Sequence, residues 1–319
     1  AEAAIKYMFI GGVATTVGLL GFSYILAAQH TTDLNQLVHM SWSNSPMAVL
    51  GLTLFFSGLL FKLAFFPFHF WAPDVYEGAG NETAAYIASL PKVGAVVVLL
   101  RFSPLLKPGL EITTILAVLA AVSMTYGNLA ALVQKDVKRI LGYSAIAHAG
   151  YLMVGVVAGT PMGVAAAAFY AFAYVLMNFT CFWVICRESK DGKNLKLEDL
   201  IGLSKRAPGL ALVLAVGAVA LVGLPPTVGF MGKFFLLTAA WNRGCNWLVV
   251  IAAVNVAIGL FYYLNLLRYA YTKQSPEASE KGFSAQGGSV LSLSGGLFLA
   301  GLVILFGVLP ELVFKMLMP

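Results

Sequence analysis

Long runs of apolar residues, separated by short polar stretches, dominate the chain. A helix that crosses the hydrocarbon core takes about 20 such residues. Nine segments meet that length, at 5–28, 46–67, 82–102, 111–133, 138–158, 163–186, 208–240, 246–271 and 289–317. None alternates apolar and polar residues as a barrel strand would, and a backbone in lipid must satisfy its own hydrogen bonds. The pattern therefore predicts an all-α polytopic membrane bundle of about nine transmembrane helices. The first run opens at Ile5, close behind Ala1, and is too long for a signal-peptide core. The chain is expected to be the later part of a longer protein.

Two of the nine segments carry proline where a helix should continue. Pro67 interrupts the second, in Phe65-Phe66-Pro67-Phe68-His69, and Pro225-Pro226 interrupts the seventh, after Gly223-Leu224. Proline removes a backbone donor and clashes with the preceding turn. In a membrane such breaks are tolerated where the freed carbonyls meet protein or water. Paired broken helices in two halves of a chain mark transporters built from inverted repeats.

Composition reinforces the membrane assignment: 60% of the 319 residues are hydrophobic and 11% charged, against about 25% charged in soluble domains. Mean hydropathy is +0.85. A net charge of +6 would suit nucleic acid in a soluble protein, but here the cations line loops, and no nucleic-acid partner is expected. One set of alternate loops holds Lys135, Lys138, Arg139, Arg187, Lys190, Lys193, Lys196, Lys205, Arg206, Arg268, Lys273 and Lys281. The other set, with the C-terminal end, holds Arg101, Lys107, Arg243 and Lys315. The richer set should face the cytoplasm. Cys181, Cys186 and Cys245 match no zinc or iron–sulfur spacing, and no metal is expected.

Four lysines remain inside apolar segments: Lys6, Lys62, Lys92 and Lys233. Lys62 lies about 24 Å along a helix from Pro46, at 1.5 Å per residue. An ionisable side chain at that depth is costly and usually faces a hydrated interior on an ion pathway. A desolvated lysine also exchanges its proton more readily near neutral pH than a hydrated one. The bland alternative is snorkelling to the interface, which fits Lys6 best. Glu2, four residues before Lys6, is placed to pair with it on one helix face. His69, just past the Pro67 break, and His148 add two side chains that switch near neutral pH. His30 and His39 read as ordinary loop residues. Asp74, Glu77 and Glu82 fall in the loop after the broken second segment, and Lys62, Lys92 and Lys233 find no acidic partner within the apolar runs.

The stretch Lys62-Leu-Ala-Phe-Phe-Pro-Phe-His69-Phe-Trp-Ala-Pro-Asp-Val-Tyr-Glu-Gly78 resembles the hallmark of the antiporter-like subunits of proton-pumping NADH–quinone oxidoreductase, respiratory complex I. Ser89-Leu-Pro-Lys-Val93, Gly127-Asn128-Leu129, Val137-Lys-Arg-Ile-Leu-Gly-Tyr-Ser144, His148-Ala-Gly-Tyr151 and Gly223-Leu-Pro-Pro-Thr-Val-Gly-Phe-Met-Gly-Lys-Phe234 extend the match, as does Ala1-Glu-Ala-Ala-Ile-Lys-Tyr7. The wording is most like the subunit N branch. The family is related to the large subunits of multi-subunit cation/proton antiporters.

That resemblance implies a fourteen-helix fold with two inverted repeats, of which this chain supplies the later helices. Residues 1–110 would be the end of the first repeat, 111–272 the second repeat, and 273–319 a loop and final helix. It implies a proton-transfer path through Lys62, Lys92, Lys233, His69 and His148, with Lys6 and Glu2 beside it. The family's key glutamate on an earlier helix has no counterpart here. NADH, FMN, iron–sulfur clusters and quinone would be handled elsewhere in the complex, and this chain would bind none of them. Expected partners are the other membrane subunits, the lipid bilayer and protons, in a bacterial inner membrane. The alternatives are a sodium/proton antiporter subunit of the same superfamily and a non-catalytic membrane scaffold.

Overall fold

The computed structural model describes residues 2–33, 36–37, 45–103, 111–189, 192–273 and 290–317. His39, Lys107, Lys190 and Lys281, read above as loop residues, lie outside them. Twelve longer helices run in chain order: α1 Glu2–Gln29, α2 Pro46–Leu63, α3 Trp71–Gly78, α4 Asn81–Phe102, α5 Glu111–Leu132, α6 Val137–Ala158, α7 Pro161–Glu188, α8 Pro208–Val222, α9 Val228–Asn242, α10 Asn246–Tyr271, α11 Val290–Val308 and α12 Glu311–Leu317. Among the described residues, seven helices are long and apolar enough to cross a membrane, or eight with α11 and α12 taken as one bent span. The halves α8 and α9 supply the remaining predicted segment.

Polar caps start the helices where the sequence provides them. The Ser45, Asp136 and Thr160 side chains accept from the backbone N–H three residues on, at 3.3, 2.9 and 3.0 Å. Pro46 and Pro161 follow two of these caps, at the helical position where a missing N–H costs nothing.

Both predicted breaks are present, and there is a third. Segment 289–317, expected as one helix, bends by 69° between α11 and α12. Pro310 begins the new turn there, removing a donor as the other prolines do. The acids read as loop residues are in fact helical: Asp74 and Glu77 lie on α3, and Glu82 in the first turn of α4.

Burial orders the bundle. Of the apolar window of α6, 94% is buried, against 11% for α1. Helix α6 touches α3, α4, α5, α7, α9 and α10, so it is the central post. A helix apolar all round belongs in such a position. At the edge, α1 lies on α2 through Gly21 and Gly51, where an added Cβ would come within 2.4 Å of Phe55 N and 2.8 Å of Gly21 O. Small residues that let backbones meet are a device of membrane helix packing. At one end, backbone bonds Val137 N–Leu195 O and Leu197 N–Lys135 O, both 2.9 Å, tie the segment after α7 to the start of α6.

Candidate functional site

The second break builds the most defined polar position. Helix α8 ends at Val222, and Gly223 takes φ +89° to turn the chain. The last carbonyls of a helix have no intrahelical donor and sit at the negative end of its dipole. Helix α9 returns Lys233 to that end. Its Nζ donates to Leu221 O at 3.0 Å and Val222 O at 2.7 Å and lies 4.5 Å over the Tyr151 ring. Lys233 is 7% exposed.

His148 stands on the central helix α6, buried, with both ring nitrogens engaged. Nδ1 is 2.6 Å from the Tyr170 hydroxyl and Nε2 3.2 Å from that of Tyr263. Tyr263 also bonds closely to Ser144. One turn along α6, on the same face, is Tyr151, whose ring carries Lys233.

On the other side is Lys92, one residue after Pro91 in α4 and 6% exposed. Its Nζ lies 3.5 Å from the Tyr174 hydroxyl, 5.2 Å from the Tyr174 ring centre and 5.7 Å from that of Tyr76. A cavity of about 20 Å³ opens between Lys92, Ser89, His148, Tyr170 and Tyr174, enough for a water molecule. Helix α7 lines it with Tyr170 on His148 and Tyr174 on Lys92, and four residues further on Asn178 donates to Ser89 Oγ at 3.0 Å. Residues four apart share a helix face, so the spacing was visible in the sequence. What it could not show was that this face meets a histidine and a lysine rather than lipid.

Lys92, His148 and Lys233 thus share one buried row. The other candidates stand apart from it. Lys62, in the last turn of α2, is half-buried, with Nζ 5.7 Å over the Tyr7 ring. It borders an apolar groove of about 390 Å³ between α1, α2 and α4, while the next residue, Leu63, lines the Lys92 cavity. His69 is buried, stacked on Phe66 and edge-on to Tyr126, and its Nδ1 has no hydrogen-bond partner among the described residues.

Lys6 pairs with Glu2 as expected, at 2.7 Å, and also with Asp74, at 2.7 Å. The second Asp74 oxygen takes Arg139 at 3.0 Å, and Arg139 takes Glu77 at 2.6 Å. The resulting chain of charges joins α1, α3 and α6. Lys138, counted above with the loop cations, is wholly buried and donates to Ala79 O at 2.6 Å. Its position at a helix start read as interface because a linear pattern does not reveal that the end of α3 folds over it.

Three comparisons bear on this arrangement. A sequence model of the family described as NADH:quinone oxidoreductase/Mrp antiporter, transmembrane, matches residues 1–259. NADH-quinone oxidoreductase subunit N 2 of Solidesulfovibrio magneticus is 56% identical over 97% of this chain and 66% of its own length. The protein of the same description from Opitutus terrae is 51% identical over 86% of this chain and 58% of its own length. This chain therefore spans less than two thirds of these curated relatives. A chain of respiratory complex I from Thermus thermophilus, solved with bound aureothin, superposes with a TM-score of 0.85 at 34% identity, covering 99% of this chain and 68% of that one. A chain of the Mrp complex from a Dietzia species superposes with a TM-score of 0.87 at 21% identity, over 99% of this chain and 66% of that one, and shares the fold.

Proposed function

The chain belongs to the NADH:quinone oxidoreductase/Mrp antiporter membrane family, and from that premise we propose that it is part of a subunit N that moves protons across a bacterial inner membrane as NADH is oxidised by quinone elsewhere in the complex. The names of its relatives favour this over an antiporter. The observation that carries the proposal is the buried row Lys92–His148–Lys233. Two amines, from α4 and α9, flank an imidazole on the bundle's central post, with phenols and a cavity of water size between them.

The chemistry follows from donor counts. An ammonium has three N–H donors. Lys233 gives two of them to Leu221 O and Val222 O, leaving the third on the side of Tyr151. Loss of that proton leaves a neutral amine that keeps both carbonyl bonds, so Lys233 can discharge without unmaking its site. Lys92 has one long hydrogen bond and two aromatic faces. A water in the cavity would reach it from His148. His148 can pass a proton between its two nitrogens' partners, Tyr170 and Tyr263. The Tyr151 ring packs against both Lys233 and His148, and no direct hydrogen bond joins the two among the described residues, so transfer there requires the lysine to swing or water to enter.

In this proposal residues 1–110 complete the first inverted repeat of a longer protein, 111–272 form the second, and 273–319 close the bundle. Lys62, His69, Lys6 and Glu2 belong to the part of the route that lies within the first repeat. The chain carries no redox centre. Its partners are the neighbouring membrane subunits and lipid, and flavin, clusters, nicotinamide and quinone are held by other subunits.

The test places Lys233→Ala and Lys92→Ala in the full-length subunit within its assembled complex. NADH–quinone turnover and vesicle acidification are followed together. Collapse of both in a complex that still assembles is the expected result. Persistence of both would return the chain to the role of a scaffold.

A further inference from the structure

Helix α3 connects two parts of the molecule that the proton route leaves unrelated. On one face, Asp74 and Glu77 hold the charge chain: Asp74 accepts from Lys6 and Arg139, and Glu77 from Arg139. Two residues after Asp74, roughly 200° round the helix at 100° per residue, is Tyr76. It is fully buried, and its ring lies 5.7 Å from Lys92 Nζ. Among the described residues its hydroxyl has no hydrogen-bond partner of ordinary geometry, and it lies beside that of Tyr174. The tyrosine therefore serves this site through its ring face, which attracts a cation, more than through its hydroxyl. Together with the Tyr174 ring, 5.2 Å away, it flanks an ammonium whose hydrogen bonding is otherwise one long contact.

The two faces of α3 differ in stiffness. Asp74 and Arg139 are each about a third exposed, and hydrated ion pairs of this kind are individually weak. They can be rearranged at small cost. The buried face is fixed by packing, with Tyr76 edge-on to Phe182 and the Trp71 Nε1 donating to Phe61 O at 3.0 Å. The end of the helix is held by Lys138 on Ala79 O and Asn194 on Glu77 O. The ion pairs and the ring beside Lys92 are thus carried by one eight-residue helix.

We propose that Tyr76 is a positioning residue for Lys92, and that the ion pairs of Asp74 with Lys6 and Arg139 set the position of Tyr76. The proposal rests on the proton-route reading above and adds a control to it. The charges at one end of the bundle determine how firmly Lys92 is held. His148 faces Lys92 across the cavity and Tyr174 faces it from α7, so both bear on the same amine.

The experiment uses the full-length subunit in its assembled complex in native vesicles, with Tyr76→Leu, Tyr76→Phe, Asp74→Asn and the Asp74→Asn/Tyr76→Leu double variant. The readouts are the ratio of acidification to NADH–quinone turnover and the pH profile of turnover. Tyr76→Leu and Asp74→Asn each should lower the ratio about threefold or more and shift the pH profile by about half a unit or more. Tyr76→Phe, which keeps the ring, should recover most of the ratio. The double variant should be no worse than Tyr76→Leu, since both changes act through one ring. A native ratio and pH profile in Tyr76→Leu overturns the proposal, as does Tyr76→Phe damage equal to that of Leu, or multiplied effects in the double variant. A Lys92→Met control separates the two levels. If Lys92→Met abolishes acidification while Tyr76→Leu leaves it native, the positioning role fails and the route stands. If Lys92→Met pumps at the native ratio, the route itself fails, and the positioning role with it.

Discussion

The first two proline breaks solve one problem with different donors. At the first, after α2, the freed carbonyls meet neutral groups: Ala64 N and the Trp71 indole both donate to Phe61 O, at 2.9 and 3.0 Å, and Phe65 N donates to Leu60 O. Ser123 Oγ accepts from Phe66 N and donates to Ile146 O, tying the break to α6. Lys62 is left free of this work and turns to the groove beside α1. At the second, after α8, the lysine itself is the donor, with Lys233 on Leu221 O and Val222 O. A broken helix needs something to cover its open end. Where that something is an amine, structure and proton chemistry share one side chain.

The largest expected consequence concerns that sharing. Lys233→Met leaves two buried carbonyls without their donor, at roughly 1–3 kcal/mol each, so the thermal midpoint of the purified protein should fall along with acidification. Lys62→Met orphans no carbonyl and should stay within about 1 kcal/mol of the parent, whatever it does to pumping. Equal destabilisation by the two would remove the distinction between the breaks.

Next comes the turn that brings Lys233 home. Gly223 has φ +89°, and a Cβ there would lie 2.9 Å from Lys233 Cδ. Gly223→Ala should cost about 1–2 kcal/mol for the left-handed backbone alone, and it should lower acidification by displacing the amine. Thermal melting and vesicle assays on the same preparation read both effects. A stable variant with weakened pumping would place the damage in the lysine contact, and an unchanged one would show that the turn relaxes freely.

Trp71→Phe tests the neutral solution. The ring packing on Phe61 and Tyr7 is largely kept, and Phe61 O retains Ala64 N–H. The loss is then one hydrogen bond of about 1 kcal/mol, with acidification close to native. A collapse on the scale of Lys233→Met would mean that the indole anchors the whole break.

The contrast between the breaks was only half legible in the sequence. Pro67 and Pro225-Pro226 announced both interruptions, because a missing donor is a property of one residue. Segment 246–271 was legible to its ends for a related reason: it is predominantly apolar and bounded by polar residues. The bend at Pro310 carried the same local signal but lay inside a run long enough to read as one helix. Which carbonyl meets which donor is a long-range fact, and neither Lys233 on Val222 O nor Trp71 on Phe61 O follows from spacing. The same limit hid the Asp74–Lys6 pair, which joins residues 68 apart, and the burial of Lys138. The partners of His148 come from α7 and α10, and tyrosines at such positions look like packing until the helices are assembled.

The smallest effect sharpens the comparison most, because it sets one break against the other at equivalent positions. Ala64 follows α2 as Gly223 follows α8, and it too is left-handed, at φ +57°. An alanine there is strained by about 1–2 kcal/mol, which Ala64→Gly would relieve. Against that relief stand the larger chain entropy that glycine loses on folding, about 0.5–1 kcal/mol, and the burial of a methyl group that is fully enclosed at this site, about 0.8 kcal/mol. The terms nearly cancel, so Ala64→Gly should move stability by less than about 0.5 kcal/mol, while Gly223→Ala destabilises clearly. Melting curves of the two variants in one detergent decide it. Stabilisation of Ala64→Gly beyond about 1 kcal/mol would mean that backbone strain outweighs the methyl contact at the first break. Destabilisation of that size would mean that the Ala64 methyl, rather than the turn, holds α2 against its neighbours.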